Sequence, residues 1–272
     1  MTVLIVVGVI AALVVLVVVG ARLQQDVEAE YAKLVAAENL TATETPAGLS
    51  DMQSEGFDLL PAGERDASAA WGVERTIDVS VGGELANVRA GAFEWWWERR
   101  EETHDQNGNR HVSWHREALM VGVVELPEDL VGAELRVARE GLLARMGIGK
   151  GGDFRVESEA FNRAFDIRVG GSEELALRLL DAGFQERYLA TAGDRFFELR
   201  GRHLIVTSPS PAVGLEFRRG SSWVGSFFSR DGDLVVTSKA VIRALPGMIE
   251  SAQWLLELIP EGYWRGARAN NP

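Results

Sequence analysis

Between Val3 and Gly20 the chain reads VLIVVGVIAALVVLVVVG, an uninterrupted run of 18 apolar residues that leaves a helix no polar face. At about 1.5 Å per residue such a helix covers roughly 27 Å, close to the hydrocarbon thickness of a bilayer. The run therefore predicts one N-terminal transmembrane helix over residues 1–21 and makes the membrane lipid bilayer the first expected partner, through residues 3–20. A cleaved signal peptide is the competing reading, but it needs a basic leading region and a small-residue cleavage site, whereas only Met1 and Thr2 precede this run. Arg22 and Lys33 follow the span and no Lys or Arg precedes it, so the positive-inside rule places the remainder in the cytoplasm, as a single-pass protein of the cell membrane. Gly8 and Ala12 form a small-xxx-small pair through which two anchors would pack, the basis for expecting a homo-oligomer.

The rest of the chain is long enough for a sizeable core. Its net charge of −12 is concentrated early, with acidic residues dominating from Arg22 to Ala70. That balance argues against nucleic acid, which rewards clustered Lys and Arg. Cysteine is absent, which excludes disulfides and thiolate metal sites.

Val27, Tyr31, Leu34 and Val35 recur at helical spacing, predicting an amphipathic helix across Leu23 to Leu40, and Thr41 to Ser50 reads as a linker. Residues 22–50 thus form a juxtamembrane unit ahead of a soluble domain over 51–272. In that domain Thr76 to Val81, Leu135 to Ala138, Phe154 to Val156, Leu215 to Phe217, Trp223 to Phe228 and Leu234 to Thr237 have strand character, with Asp231-Gly232 as a turn. Phe196 to Leu199 and His203 to Thr207 form a hairpin. Ser172 caps a helix running through Leu179 toward Tyr188, and Ser158 caps a short turn that tucks Phe161 and Phe165 under the sheet. Ile242, Leu245, Ile249, Ala252, Leu256 and Ile259 share one helix face, with Pro246 marking a kink or a restart. Strands and helices in this irregular order predict an α+β fold, a mostly antiparallel β-sheet with packed helices.

Two β-rich arms, Val88 to Glu102 and Arg110 to Leu126, flank Asn107-Gly108. A two-residue type I′ turn there pairs positions that sum to 215. In that register Phe93, Trp95 and Trp97 lie beside Ala118 and Met120 on an apolar face, with Trp114 continuing it. Trp96 points the other way, which makes it the candidate partner contact if no helix covers it. The same register sets His104 opposite His111, with His115 two residues along. These are the candidate metal ligands, since neutral imidazole suits Zn or Cu. No convincing third and fourth ligand accompanies them, and no cofactor is expected.

Gly147-Ile-Gly-Lys-Gly-Gly152 matches a phosphate-loop pattern, but it opens onto Asp153-Phe-Arg-Val and not onto a helix, and reads as a connector. His203 is left as the one histidine outside the arms, and no G-x-S-x-G elbow is present. No catalytic constellation emerges.

The segments Glu117 to Leu126, Leu130 to Val137, Phe154 to Ile167, Phe184 to Arg187 and Phe197 to Val206 together resemble an uncharacterised family of bacterial proteins. In that family a membrane helix carries a β-rich cytoplasmic domain of unknown function. The resemblance implies a small membrane-anchored domain and supplies no catalytic residues. The sequence thus supports a membrane-tethered interaction or scaffold protein with an unknown protein partner. A small-ligand or metal sensor is the alternative, and a hydrolytic or transfer enzyme fits least.

Overall fold

Strand-like residues run from Ala67 to Glu125 almost without a break, and in the computed structural model they form three long antiparallel strands. The structure describes residues 21–43, 49, 52, 56–62, 67–127, 134–139, 154–211 and 225–269. The three strands are β2 (Ala67–Val81), β3 (Glu84–His104) and β4 (Arg110–Glu125). The short strand β1 (Thr41–Thr43) pairs with β2 at one edge. Four shorter strands, β5 (Glu134–Ala138), β6 (Asp166–Gly170), β7 (Phe196–Arg200) and β8 (His203–Pro209), complete a sheet of order β1-β2-β3-β4-β8-β7-β5-β6. Every pairing is antiparallel. The α+β class with a mostly antiparallel sheet is therefore the observed one.

The helices are α1 (residues 21–37), α2 (Glu159–Ala164), α3 (Glu173–Leu179), α4 (Ala182–Thr191), α5 (Gly225–Leu258) and α6 (Glu261–Ala269). One sheet face packs on α5, whose Ile242, Leu245, Ile249, Ala252 and Leu256 are all buried, as is Ile259 just past its end. The other face carries a second apolar cluster built on Phe93, Trp95, Trp97, Leu119, Val121 and Ile205, covered by Leu49, Met52, Phe57, Leu59 and Leu60. At Gly122 the α5 backbone comes close: a Cβ there would sit 2.2 Å from the Met248 carbonyl oxygen. Only a residue without a side chain admits the helix backbone so close.

The stretch expected as a linker is structured at its start. Thr41–Thr43 extends the sheet, and α1 docks on the main core with Val27 buried and Tyr31, Leu34 and Val35 half in it. The Tyr31 hydroxyl donates to the Gly72 carbonyl, and Arg243 bridges to Glu30 at 2.8 Å.

Other expectations change. Phe154 to Val156 is not a strand, because the Asn162 side chain takes both the N–H (3.0 Å) and the carbonyl (2.7 Å) of Val156 that a ladder would need. The helix begun at Ser172 stops at Leu179. Asp181 then caps a second one by accepting from the Phe184 N–H at 2.7 Å. Gly225 to Phe228, Asp231-Gly232 and Leu234 to Thr237, expected as strands and a turn, all lie within α5, which also runs through Pro246 without a restart. Extending a helix whose later turns are already packed adds a backbone bond per residue with no new nucleation, and that outweighs a weak strand propensity. Ser158 does cap its short helix, and Phe161 and Phe165 are buried against Phe184 and Tyr188.

Leu215 to Phe217, Trp223, the Gly147–Gly152 stretch and the apolar run Val3–Gly20 lie outside the described residues. Among the described residues no helix is long and apolar enough to cross a membrane.

Candidate functional site

The long hairpin turns through five residues, not two. Asp105 Oδ1 accepts from the N–H groups of Asn107 and Asn109, both at 2.8 Å, and the Gly108 N–H closes back on the Asp105 carbonyl at 3.0 Å with φ +80. An aspartate that binds the backbone two and four residues on holds a wider loop than a type I′ turn. Those bonds, led by the Asn109 side-chain amide, also hold the Asp105 carboxyl below its ordinary range. The pairs now sum to 214: His104 faces Arg110 and Trp97 faces Glu117. The expected register was one residue off, which moves the side chains of β4 to the opposite face.

The correction separates what had been placed together. His111 lies opposite Thr103, on the face away from His104, and His115 lies opposite Arg99, so the expected facing pair of histidines does not form. The nearest carboxylates are Glu102 at 4.0 Å from His104 and Asp105 at 3.5 Å from His111. Among the described residues no cluster of three or more His, Asp or Glu side chains has metal-binding geometry.

The tryptophans keep their assigned faces, because alternation along one strand is independent of register. Trp95 and Trp97 are buried in the second cluster, packed with Leu119 and Val121 where Ala118 and Met120 had been expected. Trp96 is half-buried on the α5 face, opposite Ala118. Trp114, opposite Arg100, belongs to this face too.

The new register also brings Arg116 to Trp96. Its guanidinium lies 4.1 Å from the ring centroid, and its cross-strand partner is Glu98. Glu94, two residues from Trp96 on the same face, accepts from the Ser210 hydroxyl at 2.7 Å. Burial raises the Glu94 carboxyl, opposed by Ser210 and by Arg116. Burial likewise lowers Arg116, opposed by Glu94 and Glu98. The Trp96 indole thus carries a stacked guanidinium, with the carboxylates of Glu94 and Glu98 two residues away on either side.

The Trp96–Arg116 stack stands at the root of a projecting ribbon. Pairing with β2 ends at Trp97 and pairing with β8 ends at Leu119, so among the described residues β3 and β4 continue alone. Seven residues, Glu98 to His104, carry the arm about 23 Å outward at roughly 3.3 Å each. Its charges are internally matched, with Glu102 bridging Arg110 at 2.7 Å and Arg100 at 3.2 Å.

A second polar cluster escaped the sequence analysis. Arg136 is only 2% exposed and bridges Asp58 at 2.7 Å and Asp166 at 3.0 Å, and Arg168 reaches the same Asp58 oxygen at 2.7 Å. Beside them Glu198, 1% exposed, accepts from the N–H groups of Asp58 (3.1 Å) and Leu59 (2.9 Å), with Arg200 at 3.2 Å. Burial pushes the Glu198 carboxyl up to about 7, against the pull of those donors and of Arg200. The available signal was a charged residue in the middle of each of three apolar strands, Arg136, Arg168 and Glu198. Cross-strand pairing sets Arg136 beside both of the others.

No family model matches the chain, and no curated protein or solved structure matches it either.

Proposed function

We propose that this chain is a single-pass, membrane-anchored interaction protein that presents its β3–β4 arm to a protein partner, with Trp96 and Arg116 as the contact core. The observation that carries this reading is the half-buried Trp96, stacked by Arg116 at the root of a ribbon with no described strand along either outer edge. A rigid aromatic and an arginine are the residue types that dominate protein contact energy. The anchor is the apolar run Val3–Gly20, and the distribution of Arg22 and Lys33 supports a cytoplasmic domain. The proposed role is binding, not catalysis.

A photo-crosslinking amino acid at position 96 of the full chain, activated in native membranes, tests this. The expected result is one discrete crosslinked protein that disappears when Arg116→Ala is added. Crosslinks to lipid alone, or none above those from an exposed position such as Leu177, would overturn the assignment.

A further inference from the structure

Contacts place the long helices along the strands. β2 begins at Ala67, opposite Trp97 at the root of the arm, and ends at Val81, opposite Glu84. α6 marks the Val81 end, since a Cβ at Gly82 would sit 3.1 Å from the Trp264 Cβ and Arg268 bridges Glu84 at 3.0 Å. Midway, Met248 and Ala252 of α5 meet Gly122, which faces Ala92, itself opposite Val73. α5 therefore runs toward the Val81 end, and its earlier residues lie toward the arm.

α1 runs in the same sense. Its Tyr31 hydroxyl and ring reach Gly72 and Trp71, and the chain then enters β1 at Thr41, opposite Glu74 and further from the arm. Glu30 accordingly meets Arg243, which precedes Met248 on α5. Residue 21 lies about 15 Å before Tyr31, and Ala67 about 17 Å before Gly72, so the start of α1 comes level with the root of the arm. The point where the apolar run Val3–Gly20 joins the described chain is thus at the arm's end of the sheet. Leu85, 76% exposed, stands about 40 Å from Trp97 at the other end.

The chemistry of the arm narrows what it meets there. Between Glu98 and Glu117 five carboxylates stand against four arginines, so the arm has no basic excess to draw it onto anionic headgroups. Its charges are tied to one another, and its α5 face carries Trp96 and Trp114, the residue type that contributes most at contacts between proteins.

We infer that the arm points toward the bilayer and that its partner is an integral membrane protein, met where that protein emerges from the lipid. This rests on the membrane-anchored reading above and adds the side on which the partner lies.

The chain has no cysteine, so Gln25→Cys, Gln106→Cys and Leu85→Cys each admit one NBD label, at exposed positions near the apolar run, at the arm's tip and at the far end. The full chain is reconstituted into phosphatidylcholine vesicles doped with headgroup-nitroxide lipid. Quenching of the Gln106 label close to that at Gln25, and at least about two-fold above that at Leu85, is expected. Quenching at Gln25 with Gln106 no more quenched than Leu85 would overturn the inference and leave the anchor standing. No quenching at Gln25 would remove the anchored reading and the inference with it. A photo-crosslinker at Gln106 in native membranes then gives the partner's class. The captured protein is expected to remain in membranes that have not been crosslinked after an alkaline carbonate wash. A captured protein that carbonate releases, lipid adducts alone, or no adduct would overturn the inference, while capture at position 96 would still support the arm as a contact.

Discussion

Glu198 has almost no access to water, yet it accepts two main-chain N–H groups and sits 3.2 Å from Arg200. Burial outweighs the donors, and the carboxyl is raised from 4.5 to about 7. The folded chain therefore holds this proton more tightly than the unfolded chain does. Its contribution to stability is fullest below about pH 4.5, declines as pH rises through the window from 4.5 to 7, and is level above it. Over that window the decline amounts to at most about 3 kcal/mol. Urea melts of the unaltered chain and Glu198→Gln at pH 5 and pH 8 should diverge, with only the former losing stability at the higher pH. Parallel behaviour would show that the carboxyl titrates normally. The three consecutive tryptophans offer a second test. Trp95→Ala and Trp97→Ala empty the second cluster and should each cost about 3–5 kcal/mol. Trp96→Ala removes a half-buried ring and one stacked guanidinium, and should cost about 1–2 kcal/mol. Three equal losses in thermal melts would contradict the structural distinction drawn here. Which tryptophans were core could be told from the sequence, since neighbours on a strand must point apart. Which residues stood across from them could not, because that depends on the loop.

That loop shows how a short element governs a long one. Asn107-Gly108 reads as a two-residue turn until Asp105 is counted, and one aspartate binding N–H groups two and four residues on widens it to five. The slip costs the sequence its histidine pair and supplies the Trp96–Arg116 stack. The final helix face was fully legible from its 3-4-3-4 spacing, whereas the start of α5 was not, because strand-like composition is overridden once the helix has a packed end to grow from. The charged cluster around Arg136 was illegible for another reason: its members come from four separate segments, and only sheet order brings β5, β6 and β7 together. At the contact between α5 and β4 the structure makes a sharp demand. A methyl group at Gly122 would collide with the Met248 carbonyl, which is main chain and cannot rotate away. Gly122→Ala should therefore force α5 off the sheet and cost at least about 1–3 kcal/mol, the usual range for an overfilled core. A melt within 1 °C of the unaltered protein would mean that the helix does not pack there.

At the scale of the whole molecule, α1 is the only described element between the apolar run and the sheet, and it is bonded to the domain from Val27 onward. Val27 and Leu40 are buried, Tyr31 stacks edge-on with Trp71 at 5.5 Å, and Glu30 takes Arg243 from α5. Trp71 itself carries φ +56 at the irregularity between Ala70 and Val73, a strained conformation for a bulky residue that the Tyr31 contact helps to hold. Strand β1 then covers the outer edge of β2 from Gly72 to Glu74. The anchor proposed for the apolar run would thus be coupled to the domain through α1 from Val27 onward. Two truncations separate anchor from fold. Removing residues 1–20 should leave the melt of the remaining chain unchanged, because no described core residue lies before Arg22. Removing residues 1–43 strips α1 and β1 together, uncovers part of the main core and leaves the edge of β2 unpaired, an invitation to pair with another copy. That shorter chain should melt at lower temperature and scatter light at micromolar concentration. If it instead stays monomeric with an unchanged melt, α1 is a passive spacer, and the coupling of arm to membrane through it is wrong.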